Sequence, residues 1–385
     1  MQILKTYLCL LLISFSLNIS ARDIKVELFS KYTVKTLMVS PIDGKYELAT
    51  DKGSIYKLKK NNIIYFTVIG DSVSLWDLSE HLGVFKWISI TGTAKSNALK
   101  IEPAYPALKA GYYEGNIKIT VDKQHMDITN TVSMDSYLAG VVEAEAGPNA
   151  PLEFYKAQAI ISRTYLLELI LRQGVDNYKI SDDVNHQVYK GISLKNPMIK
   201  QAVLHTSNLV IVDTTNHLIT AAFYSNSGGE TANSEDVWLT ERSYLKSVKD
   251  PFSLNQRNSV WRDSILTKDW LTYLDINGID VSTSSSKIDN LYFEQKHRKK
   301  YYTYNDDSIP LKKIRSDFKL RSSWFSFEPN NNYIVINGKG YGHGVGLSQE
   351  GAMQMAKQNY SFVDIINFYY KDVKIVDYNI FLTSR

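Results

Sequence analysis

The stretch from residue 131 to residue 167 constrains the fold of this chain most strongly, because two largely apolar runs flank a turn there. Ser133 is suited to cap a first helix over residues 134–143, since its hydroxyl can accept a backbone hydrogen bond from the first turn. A glycine and a proline at 147–148 then interrupt the helical pattern, and Pro151 suits the first position of a second helix. The stretch therefore predicts two helices joined by a short turn.

The second predicted helix is apolar on nearly every face, so we expect it to be buried in the core. Its apolar positions are Phe154, Ala157, Ile160, Ile161, Tyr165, Leu167 and Leu171, and Gly174 offers a stop. Glu145 falls in the turn before this helix, where low dielectric raises the pKa of a carboxyl group and suits it to act as a general acid. The alternative is a structural ion pair between Glu145 and Arg163 or Lys156.

Short β-rich segments alternate with turns from Asp23 to about residue 105, and the Asp-Gly pair at 43–44 is typical of a hairpin. We therefore divide the 385 residues into an N-terminal all-β region at 22–105 and a larger domain at 106–385. Helical and strand patterns both occur in the larger domain, and the segment 261–274 is predicted to be one of its helices. The predicted fold class is α+β.

A strand pattern leads directly into a polar loop at residues 225–229, which reads Ser-Asn-Ser-Gly-Gly. Glycines allow a backbone to approach a ligand closely, and hydroxyl and amide groups suit hydrogen bonding to a sugar chain. The alternative is an ordinary polar loop in which Ser234 caps a short helix. Trp238 is suited to stack on a sugar ring, although a tryptophan here can equally belong to the core.

Residues 338–351 contain six glycines between a predicted strand and a helix capped near Ser348. This density of glycine indicates that the backbone lies close to another group, while Tyr341, His343 and Gln349 present polar side chains. We do not expect a phosphate-binding loop, because no Gly-Lys-Ser or Gly-Lys-Thr follows at the required spacing. His343 is compatible with a ligand-facing role or with a structural one.

Two further clusters have chemical potential. The first consists of Asp182, Asp183, Asn185 and His186. Its oxygen and nitrogen atoms suit a metal ion, but the spacing matches no fixed metal-binding motif. The second is the basic run His-Arg-Lys-Lys at 297–300, which can contact an anionic polymer or, alternatively, form a solvated loop.

The N-terminus has the pattern of a secretory signal peptide over residues 1–21. Lys5 precedes a mostly apolar run, and small residues stand at Ser20 and Ala21. We expect cleavage there to send the chain to the periplasm, the cell envelope or the medium. The apolar run is too short for a transmembrane helix, so we expect no membrane-spanning segment in the mature chain. Cys9 is the only cysteine and lies inside this run, so no disulfide or thiolate site is expected.

Composition excludes two other classes of protein. Hydrophobic residues make up 44% of the chain and charged residues 22%, which is typical of a folded globular protein rather than a disordered one. The formal net charge is only +4, which is too small to indicate binding to nucleic acid.

Four segments, in order along the chain, resemble the motifs of the stage II sporulation protein D family (SpoIID/LytB). The first, DSYLAGVVEAEAGP at 135–148 with PLEFYKAQAIISRTY at 151–165, is similar to the family pattern YLxGVVxxEMP followed by EALKAQAxAARTY. The others are YSNSGGETANSEDVW (224–238), LRSSWFSF (320–327) and GKGYGHGVGLSQEGAMQMA (338–356). The resemblance covers roughly residues 106–377. This chain departs from the pattern in having Ala146 and Gly147 where the family has Met-Pro.

The resemblance implies a β-rich domain with a few helices around a glycan cleft, and a secreted lytic transglycosylase that cuts peptidoglycan strands lacking stem peptides. It implies that Glu145 is the catalytic acid and base, with Glu143 as the rival. The substrate-binding residues that it implies are Arg163, Tyr224, Ser225, Ser227, Gly228, Gly229, Tyr341, His343, Ser348 and Gln349.

The family also suggests partners and an alternative function. The expected partner is the peptidoglycan glycan strand, and the alternative is a non-catalytic, peptidoglycan-binding modulator of a cell-wall amidase. No cofactor is required. Some relatives carry His and Cys, associated with zinc, where this chain has Asn185 and His186, so zinc is only the lesser alternative here.

Overall fold

The computed structural model of the chain describes residues 23–183, 186–192, 196–238 and 240–379. The predicted signal peptide, including Cys9, lies outside the described residues. No helix in the described ranges is long and apolar enough to cross a bilayer.

The first part of the chain forms two β-sheets. Its strands are β1 (Asp23–Leu28), β2 (Thr36–Asp43), β3 (Tyr46–Thr50), β4 (Gly53–Leu58), β5 (Ile64–Ile69), β6 (Ser72–Trp76), β7 (His81–Phe85), β8 (Trp87–Gly92), β9 (Ala98–Tyr105), β10 (Gly111–Glu114), β11 (Asn116–Asp122) and β12 (His125–Ser133), and β13 (Ile180–Ser181) joins them later. One sheet has the order β13-β1-β12-β11-β8-β3-β4, and the other has the order β10-β9-β2-β5-β6-β7. Alternate residues of β1 and β12 are buried, as expected for strands with one face on a core.

The predicted boundary between residues 105 and 106 does not separate two structural units. β1 pairs with β12 along its whole length, and β8 pairs with β11, so strands from both sides of the boundary share one sheet. One hydrophobic core contains residues from both sides, such as Val26 and Leu138. The N-terminal region is all-β as predicted, but it is built into the larger fold.

The helices are α1 (Met134–Ala146), α2 (Leu152–Gln173), α3 (Pro197–His205), α4 (Ser234–Trp238), α5 (Thr267–Ile276), α6 (Ser284–Asp289), α7 (Leu311–Asp317), α8 (Gln349–Lys357) and α9 (Phe362–Tyr369). Ser133 caps α1 as predicted, because its Oγ accepts a hydrogen bond from the amide of Ser136 at 3.2 Å. α2 is buried on nearly all faces and is followed by Gly174 at its end, which confirms both expectations. The α+β fold class is confirmed.

The remaining strands are β14 (Leu209–Val212), β15 (Phe223–Tyr224), β16 (Val260–Leu266), β17 (Tyr301–Tyr304), β18 (Asp307–Pro310), β19 (Phe325–Asn330), β20 (Tyr333–Lys339), β21 (Leu347–Ser348) and β22 (Lys374–Asp377). β16, β19 and β20 form a sheet that has its own hydrophobic core around Trp270. The predicted helix over 261–274 is therefore wrong in its first half. Residues 261–266 belong to β16 because they pair with β20, and α5 begins only at Thr267.

Two short strands determine where the polar segments lie. β15 and β21 pair in parallel, so the loop that follows β15 lies beside the start of α8. β14 pairs with β22 near the C-terminal end of the described chain. The loop at 225–229 and the glycine-rich segment at 338–351 are thereby held together although they are far apart in sequence.

Candidate functional site

Glu145 lies in the last turn of α1 rather than in the turn after it, which corrects the predicted helix end at residue 143. Its alanine neighbours favour helix, so α1 continues until Gly147, whose φ of 69° is in the left-handed region. The amide of Gly147 donates to the carbonyl of Glu143 at 3.0 Å. The Glu145 carboxyl group therefore lies at the C-terminal end of a helix, where the helix dipole disfavours a negative charge.

The surroundings of the Glu145 side chain also favour its protonated form. The side chain is half-buried, and burial raises the pKa of its carboxyl group. The amide of Val188 donates to Oε1 at 3.2 Å and opposes part of that shift. Lys156 does not pair with Glu145, because it lies 2.6 Å from Glu153. Among the described residues, no cation lies within ion-pair distance of Glu145.

Arg163, which the family resemblance predicts to bind substrate, is buried inside the protein. Its side chain is 1% exposed and donates hydrogen bonds to the carbonyls of Val203, Thr206 and Leu209 at 3.3, 2.8 and 3.2 Å. Burial lowers the pKa of the guanidinium to about 10, so it stays charged at neutral pH. Arg163 therefore holds the end of α3 and the start of β14 against α2.

The two polar segments meet each other and the end of α1. Asn226 and Tyr341 exchange backbone hydrogen bonds of 2.8 and 3.1 Å. Gln349, the first residue of α8, donates from Nε2 to the carbonyl of Glu145 at 3.2 Å. The structure thus brings the predicted acid, the loop at 225–229 and the glycine-rich segment into one place.

Two of the glycines allow the two backbone segments to pack closely against each other. Gly228 and Gly340 both have positive φ, at 71° and 73°. A Cβ atom on Gly228 would lie 2.6 Å from the amide nitrogen of Gly340, and one on Gly340 would lie 2.6 Å from the carbonyl of Asn226. Glycine is required here because one loop packs on the other, whereas the sequence indicated close approach to a ligand.

Ser227 and Ser348, both predicted to contact substrate, are fully buried and bond within the protein. The amide of Ser227 donates to Oγ of Ser348 at 3.2 Å. The hydroxyl of Ser227 donates to Oδ2 of Asp250 at 2.8 Å, and the hydroxyl of Tyr369 donates to the same oxygen at 3.1 Å. Burial raises the pKa of the Asp250 carboxyl group, although these hydrogen bonds oppose the rise. The two serines therefore stabilise the conformation of the loop from inside the protein and are not part of its surface.

Sequence reasoning missed the contacts by which three charged residues hold this loop, although it had singled out the basic run that contains one of them. Besides Asp250, Glu350 accepts a hydrogen bond from the side-chain amide of Asn226 at 2.6 Å. Arg298, part of the basic run, donates to the carbonyls of Ser227 and Glu230 at 2.7 Å each. Arg298 is thus a half-buried clamp rather than a solvated side chain. No local pattern reveals these contacts, because the partners are 23 to 124 residues apart.

Besides His343, three of the predicted contact residues keep some access to solvent. Tyr341 is 44% exposed, and Ser225 and Gly229 are half-buried. Oγ of Ser225 accepts a hydrogen bond from the side-chain amide of Asn258 at 3.3 Å, and the amide of Gly229 donates to Oγ of Ser253 at 3.0 Å. Tyr341 is the most accessible of these candidates.

His343 is fixed as a neutral ring inside the glycine-rich segment. Its Nε2 lies 3.0 Å from the carbonyl of Phe223, which can only accept, and its Nδ1 accepts from the amide of Val345 at 3.1 Å. Burial lowers the pKa of His343 to about 4. The ring lies 5.1 Å from that of Tyr224 and 5.3 Å from that of Trp238, between centroids. His343 and the buried Tyr224 therefore support the 37% exposed Trp238. Both ring nitrogens of His343 are engaged, whereas the buried hydroxyl of Tyr224 has no hydrogen-bond partner among the described residues.

A cleft of about 860 Å³ adjoins the end of α1. Its lining includes Glu143, Val188, Tyr112 and Tyr32, and therefore comes from both the N-terminal strands and the helical part. Glu145 borders this cleft through its hydrogen bond to the amide of Val188. Glu143 lines it directly, and its Oε2 is buried without a hydrogen-bond partner among the described residues. Glu143 is thus part of the cleft lining, whereas Glu145 contacts that lining through the amide of Val188, and Glu143 stays a rival to Glu145.

The described residues of the stretch considered for a metal, which include Asp182 and His186, form hydrogen bonds within the protein. Asp182 accepts from the amide of Phe29 at 2.9 Å and from the hydroxyl of Ser30 at 2.9 Å. Nδ1 of His186 lies 2.7 Å from the hydroxyl of Ser181. No group of three or more potential metal ligands occurs in the described ranges, and Asn185 lies outside them. Asp182 therefore ties this stretch to the end of β1.

Comparison with known proteins agrees with these motifs. A family model described as "Stage II sporulation protein" matches residues 122–212, which include α1 and α2. The chain is 29% identical to stage II sporulation protein D of Bacillus amyloliquefaciens over 296 residues, covering 73% of this chain and 84% of the relative. It is 30% identical to an uncharacterized protein of Brachyspira hyodysenteriae over 281 residues, covering 69% and 73%. It is 28% identical to the amidase enhancer of Bacillus subtilis over 293 residues, covering 63% and 40%.

Proposed function

The chain belongs to the stage II sporulation protein D family, and from this premise we propose that it is a secreted peptidoglycan lytic transglycosylase. Its substrate is the glycan strand freed of stem peptides, and its product ends in 1,6-anhydro-N-acetylmuramic acid. The observation that carries the proposal is the Glu145 carboxyl group. This group is half-buried, and burial raises its pKa. No cation lies within ion-pair distance of it among the described residues, and it accepts a hydrogen bond from Val188, which lines the cleft of about 860 Å³.

In the proposed reaction a single carboxyl group acts twice. Protonated Glu145 donates its proton to the oxygen between C1 of N-acetylmuramic acid and C4 of N-acetylglucosamine, and the C1–O bond breaks. The resulting carboxylate removes the proton from the C6 hydroxyl of the same muramyl sugar. That oxygen bonds to C1, which closes the anhydro ring and restores protonated Glu145. An ordinary glycosidase needs a second carboxylate for water or for a covalent bond, whereas no water is consumed here.

The neighbours of Glu145 fit this double role. A general acid works best when its pKa is close to the working pH, and burial shifts the pKa of Glu145 in that direction. The amide of Val188 then stabilises the carboxylate formed after the first proton transfer, because it donates to Oε1. Gln349 holds the backbone of the acid against the glycine-rich segment.

The test uses the purified chain and glycan strands from which an amidase has removed the stem peptides. Mass spectrometry of the products should show anhydro-terminated fragments with the parent chain and none with Glu145→Gln. Glu143→Gln is the matched control, since it removes a carboxyl group from the same helix, one that lines the adjoining cleft. Cleavage by Glu145→Gln at the parent rate would overturn the assignment of the acid, and loss of cleavage only in Glu143→Gln would assign the acid to Glu143.

The second candidate is a non-catalytic protein that binds peptidoglycan and modulates a cell-wall amidase. Two observations favour it: the similarity to an amidase enhancer, and the bond from Val188 to Glu145, which equally suits a structural carboxylate that holds the 186–192 segment. In that case the parent chain sediments with peptidoglycan but releases no fragments. It raises the rate of an added amidase, and the Glu145→Gln variant raises that rate to the same extent.

A further inference from the structure

A second surface cleft, of about 450 Å³, lies between α7 and the segment that carries Tyr341. Four basic side chains line it, and the rest of its lining is Tyr341, a serine and a leucine. The basic residues are Lys312, Arg315, Lys319 and Arg321. No acidic residue is part of this lining. We call this feature the basic cleft.

The charges of the basic cleft are not neutralised within the described chain. None of its four cations has a carboxylate within ion-pair distance among the described residues, whereas the neighbouring Lys313 lies 2.6 Å from Asp317. Lys312 and Arg315 donate instead to backbone carbonyls, at 3.0 and 3.3 Å. Burial lowers the pKa of Arg315, which means that its charged form lacks full solvation. A bound anion would restore that stabilisation.

The basic cleft adjoins the glycine-rich segment of the candidate site. The guanidinium of Arg321 lies 5.8 Å from the centre of the exposed Tyr341 ring, and the carbonyl of Arg321 accepts from the amide of Gly342 at 2.9 Å. Arg315 is near enough to His343 to contribute to the lowering of its pKa. An exposed aromatic face beside arginine suits a sugar ring that carries an acidic group.

Resting on the proposed function, we propose that the basic cleft binds the free lactyl carboxylate of a muramyl residue in a peptide-free glycan strand. While a stem peptide is attached, this carboxyl group is a neutral amide. Its removal exposes one carboxylate on every second sugar of the strand. Arginine binds carboxylates through paired, charge-assisted hydrogen bonds, and Tyr341 provides the surface for the ring. The basic cleft thereby selects strands that have lost their peptides.

Binding is measured in the full chain with Glu145→Gln as background, so that strands stay intact. One probe is amidase-treated strand with free lactyl carboxylates, and the second is the same strand after carbodiimide coupling to ethanolamine, which makes those groups neutral amides. Acidic strands should bind about tenfold more tightly than neutral ones, and added salt should reduce this difference. Arg321→Ala and Lys319→Ala should each lower the affinity for acidic strands by up to about tenfold. Neither substitution should change the affinity for neutral strands. Lys313→Ala is the charge-matched control and should change neither affinity.

Equal affinity for acidic and neutral strands would overturn the proposal, as would equal losses from Arg321→Ala and Lys313→Ala. Binding of a polyglycerol phosphate in place of the acidic strand would assign the basic cleft to a phosphate polymer and so contradict it. The lyase proposal can fail separately. Suppose that the parent chain forms no anhydro ends but still binds strands in a way that depends on their carboxylates and on Arg321. The lyase proposal is then wrong, and the binding proposal for the basic cleft stands.

Discussion

The side-chain amide of Gln349 donates a hydrogen bond of 3.2 Å to the backbone carbonyl of Glu145, which is 204 residues earlier in the chain. The bond joins the last turn of α1 to the first residue of α8. It therefore sets the position of the proposed acid relative to the glycine-rich segment without touching the carboxyl group itself. Gln349 is best described as a positioning residue.

Replacing Gln349 by alanine should lower kcat more than it changes KM. Loss of the bond frees the end of α1, and misplacing a catalytic group by about 1 Å can cost on the order of 100-fold in rate. We expect kcat to fall about 10- to 100-fold, with KM within about twofold. The free energy of unfolding should fall by only about 1 kcal/mol.

Gln358→Ala is the matched control, because this glutamine is exposed at the end of the same helix. It should leave both constants unchanged. Kinetics on peptide-free strands and urea denaturation give the two readouts. A Gln349→Ala enzyme with parent kcat would mean that the contact is only structural.

Replacing Glu145 by glutamine should abolish activity while leaving the fold as stable or more stable at neutral pH. General acid catalysis is worth about 10²–10⁴-fold in rate, which is the expected loss. The folded pKa of Glu145 is raised above 4.5, so its contribution to stability is fully present below about pH 4.5 and is lost as pH rises through the folded pKa. Glutamine has no such loss, and its Oε1 can still accept from Val188.

Thermal denaturation between pH 4 and pH 8 checks this expectation, with Glu143→Gln as the comparison. The stability of Glu145→Gln relative to the parent should rise with pH. A variant that is destabilised at every pH would instead indicate a structural carboxylate. In the active parent, the rate should fall as pH rises past the folded pKa of Glu145, because the acid must start protonated.

Local signals were sufficient for much of the fold. The cap at Ser133, the stop at Gly174 and the burial of α2 follow from the chemistry of single residues and from periodicity along one helix. The loop at 225–229 and the glycine-rich segment could also be singled out as neighbours of the acid, through the family motifs. The first three inferences use residues that are close together in sequence, whereas the last joins distant segments and rests on the family motifs.

Other features depend on contacts between residues that are far apart in sequence, and local patterns do not predict them. Residues 261–266 have a helical pattern, yet they form a strand because β20, more than 60 residues later, supplies its hydrogen-bond partners. Arg163 was predicted to bind substrate, but in the fold its guanidinium donates to carbonyls at the end of α3. Ser227 and Ser348 were predicted to contact a sugar, but they bond to each other, and the hydroxyl of Ser227 donates to the buried Asp250.

His343 should stay neutral across the physiological range. Burial lowers its pKa to about 4, and the contacts with Phe223 and Val345 select the tautomer with hydrogen on Nε2. Because the unfolded pKa is near 6.5, this group reduces stability progressively as pH falls from about 6.5 towards 4. Nitrogen-detected NMR of the ring should show the neutral Nε2–H form down to about pH 5, with the signal assigned by its loss in His343→Asn. Titration near pH 6.5 would contradict the buried arrangement.

Arg163 should prove essential for stability and unimportant for strand binding. Arg163→Met removes one donor from each of the buried carbonyls of Val203, Thr206 and Leu209, and each lost hydrogen bond costs about 0.5–1.5 kcal/mol. The carbonyls of Val203 and Thr206 keep a second donor, at 3.3 and 3.1 Å. We expect the free energy of unfolding to fall by about 2–4 kcal/mol, and Arg163→Lys should recover only part of it, since lysine lacks the planar fork of donors. The exposed Arg172 on the same helix provides the control, because Arg172→Met removes an equal charge from the surface. If Arg163 contacted the glycan instead, Arg163→Lys would weaken strand binding at temperatures where the variant is fully folded.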